Sequence, residues 1–147
     1  MLRNAIRSCV RLFALVGILA LVPMSGLSAQ VNCSSNITIT GQPRIGTTIQ
    51  FQVTGTVGCH SCVWISKNPG PVQIGPVTIP IGLPLLNVVD FGTLPPSGSY
   101  TVPLQVPADP NTIGLQLFFT DVSFPSAVGP TIQNVRFSPA AVITIVP

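Results

Sequence analysis

Prolines and glycines punctuate this chain from residue 30 to its last residue, and they decide what it can fold into. Fifteen prolines and eleven glycines fall within those 118 residues, spread along the chain rather than clustered. In a helix interior each proline costs about 3 kcal/mol and each glycine about 1 kcal/mol relative to alanine. No ten-residue window after Gln30 shows a clean 3.6-residue apolar period free of Gly, Pro or β-branched runs. Helix is excluded as the main element, which leaves short strands divided by turns.

Three segments alternate clearly. In Thr47 to Thr56, Ile49, Phe51 and Val53 share one face, with Thr48, Gln50, Gln52 and Thr54 on the other. Tyr100, Val102, Leu104 and Val106 form a second such face, and Ile113, Leu115, Leu117 and Phe119 a third. The last two segments flank Pro107-Ala108-Asp109-Pro110-Asn111, a tight-connection sequence in which Pro fixes φ and Asp and Asn bond their own backbone. They are therefore expected to be antiparallel neighbours. Shorter strand candidates are Ile37 to Thr40, Val63 to Ser66, Val77 to Ile81, Val88 to Gly92 and Gln133 to Phe137. Ala141 to Val146 is apolar on both faces and is expected to pair centrally. Pro103 cannot donate to a ladder, so its strand belongs at an edge or carries a bulge. The proline-rich stretch Asn68 to Leu86 reads as an extended loop or irregular edge packed over the rest. About seven to nine short strands without helices predict an all-β antiparallel sandwich, with a small β-barrel as the alternative.

Residues 1–29 have the layout of a cleaved signal peptide. Arg3, Arg7 and Arg11 precede an unbroken apolar run, Leu12 to Val22; Pro23, Ser25 and Gly26 then lead to the small-residue site Leu27-Ser28-Ala29. Eleven apolar residues rise about 16 Å as a helix, roughly half of a bilayer core, so a membrane anchor is disfavoured. The expectation is an exported protein, secreted or held in the periplasm or at the cell surface. No membrane span should remain after cleavage, and residues 30–147 should form a single domain.

Charge narrows the function. Only 6% of residues are charged and Glu is absent. Beyond the leader, Arg44, Lys67 and Arg136 balance Asp90, Asp109 and Asp121, three against three, for a net charge of zero. Three scattered cations cannot replace the counterions of a nucleic acid, so no nucleic-acid partner is expected. One His and three Asp give little material for hydrolysis, and no Ser-His-Asp, paired-carboxylate or phosphate-loop pattern is present. Thr, Ser, Gln and Asn number 36 in the same span and supply the outward faces instead. A near-neutral Thr/Gln surface with strand edges favours association with copies of itself or with an envelope or matrix.

Cys59-His60-Ser61-Cys62 is the one constellation that invites chemistry. A thiol oxidoreductase places such a pair at a helix N-terminus, which lowers the thiol pKa, whereas here Val63-Trp64-Ile65-Ser66 follows as a strand. Zinc would need Cys33, Cys59, Cys62 and His60 to converge, which His60's place between two of the Cys disfavours. No cofactor is expected. Beyond the leader Cys33, Cys59 and Cys62 remain, an odd count that implies one disulfide and one thiol, or a bridge between chains. The bridge lies either across the tight turn or from Cys33 to one of the pair. Closing the loop of about 26 residues from Cys33 would contribute roughly 3 kcal/mol.

Trp64 and Tyr100, with Phe118 and Phe124, are candidates for an aromatic sugar platform, although a small sandwich also needs large side chains in its core. Asp109 and Asp121 each stand alone, unlike the clustered oxygen ligands of calcium, and Asp109 is better read as a turn former. The sequons at Asn32 and Asn36 matter only in a glycosylating host.

Pro43-Arg44-Ile45-Gly46-Thr47-Thr48-Ile49-Gln50-Phe51, Ser97-Gly98-Ser99-Tyr100-Thr101-Val102-Pro103-Leu104-Gln105-Val106-Pro107 and Asp109-Pro110-Asn111-Thr112-Ile113-Gly114-Leu115 together resemble a small secreted β-domain common in environmental bacteria. That pattern ends its second block with a Gln two residues after an aromatic, where this chain has Phe118, Phe119 and Thr120. The resemblance spans roughly residues 43–146. It implies an all-β exported domain and carries no activity with it. The expected function is a non-catalytic structural or adhesive module. The alternatives are a carbohydrate- or surface-binding module and a thiol-redox protein using Cys59 and Cys62.

Overall fold

The computed structural model describes residues 31–147; the signal peptide expected at residues 1–29 lies outside the described residues. Ten strands follow in order: β1 (Ser35–Thr40), β2 (Thr48–Gly55), β3 (Cys59–Ser66), β4 (Pro69–Ile74), β5 (Val77–Ile81), β6 (Leu85–Thr93), β7 (Ser99–Gln105), β8 (Gln116–Pro125), β9 (Arg136–Phe137) and β10 (Ala141–Thr144). Among the described residues the only helical element is a 3-10 turn at Pro110–Thr112.

Strands β1-β2-β7 form one antiparallel sheet and β10-β8-β3-β6 a second, with β9 also on β8. The two sheets face each other over Ile37, Ile49, Phe51, Val53, Val63 and Phe119, all buried. These residues come from the alternate positions that the period-2 pattern assigns to one face. Full burial of a Val, Ile or Phe side chain contributes about 1.5–3 kcal/mol. The architecture is an all-β sandwich and not a closed barrel. One isolated backbone bridge, Arg44 to Val146, joins the loop before β2 to the chain after β10.

The sandwich has a third, partial layer. Hairpin β4–β5 forms its own two-stranded sheet and places Ile79 and Ile81 against the outer face of the five-stranded sheet, over Cys62, Trp64, Val122 and Phe124. The stretch expected to be an irregular loop does pack over the sandwich, but as a regular hairpin. Val72, Ile74, Val77 and Ile79 alternate around Gly75-Pro76, and Gly75 takes the positive φ (56°) that opens a two-residue turn. With both faces covered, β3 is buried almost throughout.

Two expected pairings are corrected. β7 and β8 are not neighbours: β7 pairs with β2, while β8 pairs with β3 and β10. Residues 106–115 instead carry the chain from one sheet to the other. Val106 N–H still donates to Thr47 O, and Gly114 N–H already donates to Ile145 O. Between them Asp109 caps the 3-10 turn by accepting from Asn111 N–H at 2.9 Å. The final apolar segment is not central either; β10 lies at the edge of its sheet. It is apolar on both faces because Ile143 enters the core and Val142 stands half exposed at the surface.

Candidate functional site

The Cys59-His60-Ser61-Cys62 segment occupies no turn; β3 begins at Cys59 and runs without a break. Side chains alternate along a strand, so Cys59 and Ser61 face the opposing sheet, with Val63, while His60 and Cys62 face the hairpin, with Trp64. Cys59 is bonded to Cys33 across a Cα separation of 5.9 Å. This bridge ties the segment ahead of β1 to the first residue of β3, and hence one sheet to the other. Among the described residues no cysteine is a free thiol. The disulfide buries both partners, Cys33 at 4% and Cys59 at 0% exposure, leaving no approach for the attacking thiolate of an exchange partner. It also takes two of the four groups that a zinc site would need.

His60 is engaged elsewhere. Its Nε2 lies 2.7 Å from Asp90 Oδ1, and its ring stacks on Phe124 with centroids 4.8 Å apart. Asp90 also accepts from Gly92 N–H at 2.8 Å, at the bulge where β6 slips by one residue against β3. Ser61 donates to a different carboxylate, Asp121, on the opposite face of β3. His60 and Ser61 therefore cannot act on one substrate atom, although they are adjacent in sequence.

The aromatic platform is not assembled. Trp64 is only 2% exposed, edge-on to Phe137 at 5.7 Å. Tyr100 lies on the other sheet, stacked on Phe91, and its hydroxyl donates to Thr93 O at 2.7 Å. Phe124 is buried under His60. These side chains serve packing: Trp64 and Phe124 lie in one buried cluster, with Phe118 packed against it, and Tyr100 lies apart on the other sheet. Two apolar hollows, of about 150 and 440 Å³, lie between β6 and β7; the larger is also lined by the side chains of Asn87 and Gln105.

What the fold does present is a flat uncharged face. On the outside of the three-stranded sheet, Asn36, Thr54 and Ser99 form one row across the strands, Thr38, Gln52 and Thr101 a second, and Thr40, Gln50 and Pro103 a third. Thr48 and Gln105 extend it, hydrogen-bonded to each other at 3.0 Å. None of the three strands carries a charged residue. The alternation was visible in the sequence; the alignment of three strands into rows was not.

Fold and surface together define a disulfide-tied all-β sandwich with a neutral amide-and-hydroxyl face. No protein-family model matches the chain, and no curated protein matches it significantly.

Proposed function

We propose that the protein is an exported, non-catalytic structural or adhesive module that acts through the neutral face and strand edges of its three-stranded sheet. The observation that carries this reading is the set of in-register Asn, Thr, Ser and Gln rows, uncharged from edge to edge. Such a surface lacks the like-charge repulsion that keeps soluble domains apart, and it presents donors and acceptors to any neutral polar partner. The Cys33–Cys59 bridge suits an oxidising compartment, and no helix among the described residues is long and apolar enough to cross a membrane. An envelope or extracellular matrix, reached by secretion, is the setting that fits this combination.

Sedimentation velocity of the exported protein at low and high salt tests the reading. Association that persists at high salt supports it, because screening weakens contacts between charges and leaves apolar and neutral hydrogen-bonded contacts in place. A monomer at every concentration and salt would overturn its self-association.

A further inference from the structure

Among the described residues, the two principal sheets have four sides without a neighbouring strand, and three of them are blunted. Backbone parity shows what each presents, because antiparallel residues alternate between bonding a neighbour and pointing away from it. Val106 N–H donates to Thr47 O and Gly55 N–H to Gly98 O, so the outward positions of β7 are Ser99, Thr101, Pro103 and Gln105. Pro103 thus removes a donor from the free side at no cost to the ladder with β2. On β6, the Val88 N–H is taken by Asn87 Oδ1 at 2.8 Å, and a register shift and the Asp90 carboxylate follow at once. β10 is four residues long, and Val146 just beyond it is bonded to Pro43 and Ile45.

β1 has none of these devices. Thr56 N–H donates to Ser34 O, so the even-numbered residues bond β2, and Ser35, Ile37 and Ile39 turn N–H and C=O away from the sheet. Ser35–Thr40 contains no proline, charge or bulge.

Resting on the self-association proposed above, we infer that β1 pairs antiparallel with β1 of a second copy of this chain, across a two-fold axis at Ile37. Of the two-fold registers that set outward residues against outward residues, this one alone pairs all three of them. Ile37 then faces its own copy, Ser35 faces the partner's Ile39, and Asn36 faces the partner's Thr38. Inner apolar positions continue the core side, and the outer pair joins two neutral hydrogen-bonding side chains. The product is a six-stranded sheet whose neutral face is doubled. Because the contact is isologous and the other sides are blunted, it closes at a dimer. Six residues per chain is a small contact beside the roughly 800 Å² per partner of stable complexes, so the dimer is weak and concentration-dependent.

The test is a concentration series of the exported protein and of its N36K/T38K variant by sedimentation velocity. Both substituted positions are exposed, so the fold is retained, and circular dichroism and thermal melting verify this. In the proposed register each new lysine faces another across the dimer axis, and the dimer dissociation constant is expected to rise by about tenfold or more. Oxidation of Asn36→Cys protein mixed with Thr38→Cys protein is expected to cross-link the two, since this pair falls at the close Cα spacing of about 4.5 Å. A wild-type dimer that the lysines leave intact, or that cross-links no better in the mixture than with either variant alone, overturns the β1 register and spares self-association. A wild-type monomer throughout overturns both.

Discussion

Ser61 Oγ donates to Asp121 Oδ1 at 2.5 Å in the space between the two sheets, where both residues are fully buried. Burial pushes the Asp121 carboxyl above the usual carboxylate range, against the pull of the Ser35 and Ser61 hydroxyls, the Cys62 amide and the charge of His60. A carboxyl whose pKa is higher in the folded than in the unfolded state binds its proton more tightly when folded. Its contribution to stability is complete below the unfolded value and is lost as pH rises through the folded one. Asp121→Asn keeps the shape and removes the charge. Its Tm should exceed that of wild type at pH 7 by roughly 3–8 °C, the shift that about 1 kcal/mol produces in a small domain. The difference should vanish at pH 3. A variant less stable at both pH values would show that an amide cannot replace the hydrogen bonding of the carboxyl group, whatever its charge.

The Cys33–Cys59 bridge encloses β1 and β2 in a loop of 26 residues' separation. Its removal in Cys33→Ser should lower stability by about 3 kcal/mol, read as an earlier urea midpoint with an unchanged folded spectrum. A midpoint equal to wild type would mean that the sheet-to-sheet packing alone holds this corner.

Pro103 stands at an outward position of β7, opposite Gln50. Pro103→Thr restores an N–H there without disturbing a bond to β2, so folding stability should change by less than about 0.5 kcal/mol. The variant should form species larger than a dimer by light scattering, because a second edge has been opened. An unchanged mass would show that β7 is protected by something other than its proline.

Trp64 is the single tryptophan of the chain and lies under hairpin β4–β5. Its emission should be blue-shifted, resist iodide until unfolding, and stay unchanged when neutral polysaccharides are added. A polysaccharide that quenched it would restore the aromatic-platform reading.

The sandwich was legible because residues such as Ile49, Phe51 and Val53 alternate with Thr and Gln, and a half-buried strand requires just that period. Pro103 announced its edge for a similarly local reason. Pairing partners were not legible, since the same apolar face fits any neighbour; the short connection between β7 and β8 suggests a hairpin, yet β8 belongs beside β3. His60 and Asp90 meet only because β3 and β6 pair across a bulge, thirty positions apart in sequence. Asp121 resembled any isolated surface acid until the opposing sheet closed over it. Hairpin β4–β5 was hidden by its prolines, although Val72, Ile74, Val77 and Ile79 already alternated around Gly75-Pro76.

The disulfide also sets how this molecule would carry a mechanical load. A pull applied ahead of Cys33 does not peel β1 away first; it passes through the sulfur bridge directly into β3, an interior strand of the larger sheet. The segment between the two cysteines, a sequence separation of 26 and about 90 Å of extended chain, is withheld from the stretching path. The β1–β2 part of the neutral face and the open edge of β1 would keep their shape under a tension that had already begun to strain the rest of the protein, β7 included.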